Sequence, residues 1–144
     1  MINVVSDANV VLKWFHTADE EEVDAAHALL NAHRERLISL SVLDLTAYEV
    51  GNALMRGRAG ASAEQAATVV EALIEICPAI RPSPKEMRAA SELAERHNLT
   101  LYDAAYAAVA QSRSAELATL DRALLEAKLG NRPSELTATR LRGS

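Results

Sequence analysis

Cysteine occurs once, at Cys77, so the sequence allows no internal disulfide and no cysteine-rich zinc site. Cys77 stands just before Pro78, where a helix is expected to end, and reads as a small buried apolar side chain. The four histidines, His16, His27, His33 and His97, show no HxxH or HExxH spacing and read as surface residues. Aromatic residues make up only 3%, too few for a base-stacking platform. No apolar run approaches the roughly 20 residues that span a bilayer. The N-terminus lacks the basic start and small-residue cleavage site of a signal peptide. The cytoplasm is therefore the expected location, with no membrane partner. Basic charge is also short. A net charge of -5 argues against broad, non-specific nucleic-acid binding, which needs a basic face. The excess acid is instead expected to gather where a cation neutralises it.

What the chain does contain suits one folded domain over residues 1–144, the last few residues expected as a tail. Hydrophobic residues make up 49% of the 144, enough for a single core at this length. No internal repeat or low-complexity linker interrupts them. Short apolar runs at 2–6, 37–42, 79–81 and 116–120, with a fifth candidate at 135–138, read as strands buried on both faces. Helix starts stand between them. Thr17-Ala-Asp-Glu20, Ser41-Val-Leu-Asp44, Ser62-Ala-Glu-Gln65 and Ser83-Pro-Lys-Glu86 have the spacing of capping boxes or close variants. Apolar stripes follow at Val23, Ala26 and Leu30, at Ala66, Val70 and Leu73, and at Met87, Ala90 and Ala94. Gly130 is expected to close a helix over 122–129 in the left-handed conformation. Strand and helix in alternation imply an α/β domain with a mainly parallel sheet of four or five short strands, helices covering both faces. Sites in such folds form beyond the carboxyl ends of the strands.

Two acids stand at such ends. Asp7 follows the first run in "INVVSDANVVLKW", and Asp121 follows the fourth in "ELATLDRALL". Each alone reads as a helix N-cap, worth about 1 kcal/mol. Asp103, in "NLTLYDAAYAAVA", has capping-box spacing to Thr100. The helix it opens is apolar on nearly every face, through Ala104, Ala105, Ala107, Ala108 and Val109, and is expected to be buried. Its carboxylate then lies near the interior, beside N–H groups that favour an anion. Glu49 is expected inside a helix whose core stripe is Leu43, Ala47, Val50 and Leu54, where it caps nothing. It shares a polar stripe with Asn52 and Arg56, facing either solvent or a cleft.

Gathered in one cleft, the four carboxylates would repel, at about 4 kcal/mol for each ionised pair at about 4 Å and an effective dielectric of about 20. Two caps do not offset that. Such a cluster needs protons or a cation, and an all-oxygen ligand set suits Mg²⁺ or Mn²⁺. An ion of that kind activates water for attack on a phosphodiester. Taken alone, the residues leave the capping, solvated-face and cluster readings all open.

The stretches "VVSDANVVLKW", "YEVGNAL", "LTLYDAAYAAVA" and "LATLD", in this order, resemble the four acidic motifs of PIN-domain nucleases, and most nearly those of VapC-type toxins from toxin–antitoxin pairs. The resemblance runs from about Asn3 to Leu125. It implies a three-layer α/β/α sandwich and a Mg²⁺-dependent endoribonuclease, Mn²⁺ substituting, that hydrolyses RNA through a metal-activated water. It implies metal-binding and catalytic roles for Asp7, Glu49, Asp103 and Asp121. It matches Asn9, Thr119 and Asn52 to positions that support those acids, with Thr119 as a partner of Asp121. A homodimer and a cognate VapB-type antitoxin are the partners it implies. Lys13, Arg56, Arg58 and Arg122 are the cations expected to ring the cleft and meet RNA, although Arg56 and Arg58 equally suit a helix C-terminus. Trp14 and Phe15 read as core or dimer contacts.

Two rivals remain at this stage. A receiver-like phosphoacceptor domain also carries acids at strand ends, but it usually has a pair of them after the first strand, whereas Ser6 and Ala8 flank Asp7. A non-catalytic interaction module would use the acids only as caps and surface charge. A dinucleotide site is disfavoured because no glycine-rich turn follows a strand.

Overall fold

The strands begin from alternation within apolar runs. Val4 and Val5 are both buried, yet they enter two different cores on opposite faces of one sheet. The computed structural model describes residues 1–15, 20–58 and 60–138. Its strands are β1 (Ile2–Ser6), β2 (Ile38–Leu43), β3 (Ala79–Ile80) and β4 (Glu116–Ala118), in the order β3-β2-β1-β4 and parallel throughout. The helices are α1 (Ala8–Lys13), α2 (Val23–Arg34), α3 (Thr46–Arg56), α4 (Ala63–Ile76), α5 (Pro84–His97), α6 (Leu101–Ser112), α7 (Arg122–Glu126) and α8 (Pro133–Leu136). One face of the sheet presents Val4, Leu40, Val42 and Ala118 to α1, α2, α3, α4 and α8. The other presents Val5, Leu43 and Leu117 to α5, α6 and α7. This is the expected three-layer α/β/α arrangement with a parallel sheet. Its strand order is not the 2-1-3-4-5 of a receiver-like domain.

Two helix starts are as the spacing predicts. Ser62 and Gln65 exchange capping-box bonds at the start of α4, and Ser83 and Glu86 do so at the start of α5, with Pro84 at the first helical position. Asn98, in the left-handed conformation, closes α5. The start expected at Ser41 is different. Ser41 continues β2, because Val42 and Leu43 still pair with Ala79 and Ile80, and α3 opens only at Thr46. Thr17 lies outside the described residues, and α2 opens at Val23 with Glu22 left-handed at its cap.

Three further expectations are corrected. Residues 135–138 form no strand; Pro133 starts a short helix there, and the parallel bridge to β4 comes earlier, at Asn131 to Ala118. Gly130 is not left-handed; Lys128 takes that conformation after α7 ends at Glu126. Glycine is needed at 130 because a Cβ would lie 2.6 Å from Thr119 Cγ2. His33 is not a free surface residue. Its Nδ1 accepts from the Leu40 N–H at 3.1 Å, so its Nε2 carries the proton and donates to the Ile76 carbonyl at 3.0 Å, tying α2 to β2 and the end of α4. His27 likewise lies 3.0 Å from the Lys13 carbonyl through Nε2. His16 and the expected tail beyond residue 138 lie outside the described residues. Cys77 and Trp14 are buried as expected, and Phe15 packs against the same core. Among the described residues, no helix is long and apolar enough to cross a membrane.

Candidate functional site

The carboxyl ends of β1 and β4, side by side in the sheet, set the position of the first acid. The Asp7 N–H donates to the Ala118 carbonyl at 3.1 Å, so Asp7 stays on the sheet edge while its side chain turns to begin α1. One carboxylate oxygen caps that helix, accepting from the Val10 N–H at 3.1 Å. The other accepts from the hydroxyl of Thr119. Asp7 is only 5% exposed. Burial is the main force on its acidity and raises its pKa from 3.8 to about 7. Thr119 and Val10 pull it back by donating to the carboxylate, and Asp103 and Asp121 push it higher by like charge.

Glu49 lies nearer its helix start than the sequence suggests, because α3 begins at Thr46 and puts Glu49 in the first turn. Of its expected stripe, Val50 is buried, Ala47 and Leu54 are partly so, and Leu43 belongs to β2. Glu49 Oε1 accepts from the Tyr106 hydroxyl at 2.6 Å. Burial raises its pKa, the Tyr106 bond lowers it, and Asp103 raises it again. Asp103 opens the buried α6, where the Thr100 hydroxyl caps the helix by accepting from the Asp103 N–H at 3.1 Å. Its carboxyl is also raised, first by burial and then by Asp121, against the opposing Thr100 hydroxyl. Asp121 caps α7, accepting from the Leu124 N–H at 3.0 Å.

Asp7, Asn9, Glu49, Asn52, Asp103 and Tyr106 line one cleft of about 220 Å³. Asp121 lies outside its wall, yet its charge acts on Asp7 and Asp103. The capping roles are real, and the same acids also share an electrostatic field. Among the described residues, no three His, Cys, Asp or Glu side chains are arranged to enclose an ion directly. A larger groove, about 780 Å³, lies between α3 and α4; its wall is mostly apolar.

Several placements differ from expectation. The Thr119 hydroxyl serves Asp7, not the Asp121 carboxylate; Asp121 reaches Thr119 Oγ1 only through its backbone N–H, at 3.0 Å. None of the four expected cations lines the cleft. Lys13 pairs with Glu20 at 3.0 Å, Arg122 is 3.9 Å from Glu126, and Arg56 and Arg58 are exposed. Sequence reasoning also passed over Tyr106 and Thr46. Both are buried, and their oxygens are 2.6 Å apart. The available signal was a single hydroxyl-bearing ring in the alanine-rich turn three residues after Asp103.

The PIN domain family profile matches residues 4–129. Ribonuclease VapC3 of Pyrobaculum aerophilum is 34% identical over 129 residues, covering 87% of this chain and 94% of that protein. A crystal structure from Pyrobaculum aerophilum superposes with a TM-score of 0.71 at 28% identity, covering 99% of this chain and 98% of that one. A toxin–antitoxin complex from Klebsiella pneumoniae shares the fold, with a TM-score of 0.68 at 20% identity over 90% of this chain and 97% of that one.

Proposed function

This chain belongs to the PIN-domain family, in its VapC-type branch, and on that premise we propose that it is a divalent-cation-dependent endoribonuclease, the toxin of a toxin–antitoxin pair. The observation that carries the reading is the meeting of Asp7, Glu49 and Asp103 on one cleft at the carboxyl edge of the sheet, with Asp121 close enough to raise two of the three acidities. Caps alone do not require acids from β1, α3 and α6 to share a cavity.

The donor set fits Mg²⁺ or Mn²⁺. Among the described residues, the polar side chains of the cleft offer carboxylate, amide and phenol oxygens, with no thiol and no imidazole. An ion that keeps several waters needs only one or two direct carboxylates, which suits acids not gathered into a closed cage. When bound, such an ion acidifies water for attack on a phosphodiester and neutralises charge as the 3′ oxygen leaves.

The chain's own residues then have separable tasks. Asp7, Glu49 and Asp103 hold the cation directly or through water, and Asp121 completes the negative field. Thr119 fixes Asp7 from behind, so the acid does not swing out of the cleft. Asn9 and Asn52 offer amides at the rim to orient phosphate or water. Lys13, Arg56, Arg58 and Arg122 stand outside the cleft wall and serve, in this reading, as contacts to the flanking RNA backbone. The proposed partners are a VapB-type antitoxin and a second copy of the chain. Toxin–antitoxin assembly in a structural relative supports the first. The exposed Tyr48, Met55, Ile74 and Tyr102 support the second.

The test is expression of wild type and Asp7→Asn in a bacterial host, with growth scored and new RNA 5′ ends mapped. Wild type arrests growth and produces ends at discrete sites; Asp7→Asn does neither. Equal ends from both proteins would remove the proposal.

A further inference from the structure

A carboxylate at the end of a glutamate side chain samples many rotamers unless a donor holds it. Glu49 has such a donor, and that donor is itself held. Tyr106 is 1% exposed, and its hydroxyl donates to Glu49 Oε1 at 2.6 Å. The same hydroxyl oxygen is 2.6 Å from Thr46 Oγ1. Thr46, fully buried, accepts in turn from the Leu43 N–H at 3.1 Å.

Proton counting gives this chain a direction. An ionised carboxylate only accepts, so the phenol proton points to Glu49. The phenol oxygen is then free only to accept, so the Thr46 proton points to Tyr106. The Thr46 oxygen accepts from a backbone amide that has no other direction to offer. The sequence Leu43 N–H to Thr46 to Tyr106 to Glu49 is therefore a one-way set of donors, anchored in β2 and running through α3 and α6. A buried phenol satisfied only for its own sake would need no more than Thr46. The second bond occupies Glu49 Oε1 and leaves Oε2 without a hydrogen-bond donor among the described residues, on the cleft that also holds Asp7 and Asp103.

We infer that Tyr106 is a positioning residue for the cation site: oriented by Thr46, it holds Glu49 by one oxygen and presents the other to a divalent ion. The inference rests on the metal-dependent nuclease reading above and adds to it a residue outside the four acids. Removing a partner of this kind weakens metal affinity by about 10- to 100-fold when the partner orients a ligand.

The experiment is calorimetric titration of the purified, RNA-free protein with Mn²⁺, on wild type, Tyr106→Phe, Thr46→Ser, Thr46→Val and Asp7→Asn, each checked by a thermal melt. Phenylalanine keeps the ring and removes only the hydroxyl. Tyr106→Phe is expected to bind Mn²⁺ at least about tenfold more weakly while melting as one folded state. Thr46→Ser keeps near wild-type affinity, and Thr46→Val binds more weakly than Thr46→Ser. If Tyr106→Phe does not fold, the two Thr46 variants decide, since they differ in whether the hydroxyl is kept. Wild-type affinity in Tyr106→Phe, or equal affinities in the two Thr46 variants, overturns the positioning role while an Asp7→Asn loss leaves the nuclease reading standing. No Mn²⁺ binding by wild type overturns both.

Discussion

Asp7 carries a cost that depends on pH, and Asp7→Asn removes it. Its folded-state pKa is about 7 against an ordinary 3.8, with burial as the chief cause. An acid whose pKa is raised on folding binds its proton more tightly in the native state, so native stability falls as pH rises between the two values. About one pH unit below 3.8 the group is protonated in both states and adds nothing. About one pH unit above 7 the full cost of an ionised, buried carboxylate is present. Between about pH 5 and about pH 8.5 the two pKa values give a loss of about 2.7 kcal/mol. Asparagine is neutral throughout; its one amide oxygen still accepts from the Val10 N–H, and its NH2 donates to the Thr119 hydroxyl oxygen where the carboxylate accepted. Urea unfolding of wild type and Asp7→Asn, without metal and with chelator, at a series of pH values isolates the term, because the remaining groups titrate in both proteins. The variant should gain on wild type by about 2 to 3 kcal/mol across that range. Two stability curves that stay parallel would refute the reasoning.

Other outcomes follow from different parts of the molecule. Arg113 holds the Glu86 carboxyl down from 4.5 to about 2, through bonds at 3.0 and 3.1 Å, and Glu86 also closes the cap of α5. A depressed carboxyl stabilises above about pH 4.5 and loses that contribution as pH falls through about 2. Because the guanidinium is 45% exposed, Arg113→Ala should cost about 2 kcal/mol at neutral pH and progressively less in acid, read by urea unfolding. Gly130→Ala drives a methyl into Thr119 and should cost about 1 to 3 kcal/mol. It should also lower RNA cleavage, because Thr119 holds Asp7; unchanged stability and cleavage would contradict the close approach.

The layout of the fold was legible because strand and cap signals are local. The apolar runs ending at Ser6 and near Ala118, and the boxes at Ser62 and Ser83, need only neighbours a few residues away. Ser41 misled because its spacing to Asp44 mimics a cap while Val42 and Leu43 are claimed by β3, a partner far along the chain. Gly130 misled for a similar reason. Its need for glycine comes from Thr119 and Leu117 across the sheet, not from a helix end. The acids were legible as a set only through their order along the chain. Their supports were not: Thr119 reaches Asp7 across 112 residues, and Tyr106 reaches Glu49 across 57. The four cations expected around the cleft do not line its wall, and a single sequence does not tell which side chains find partners elsewhere, as Lys13 does with Glu20.

Cleavage of an end-labelled RNA by purified protein, with Mg²⁺ or Mn²⁺ and with excess chelator, in wild type and Asp103→Asn, bears most directly on the acids acting together around a cation. Wild type should cut only with metal, leave a 5′ phosphate and a 3′ hydroxyl, and still cut where the 2′ hydroxyl at the scissile bond is replaced by hydrogen; Asp103→Asn should be nearly silent. Undiminished cutting in chelator, or by Asp103→Asn, would contradict the account.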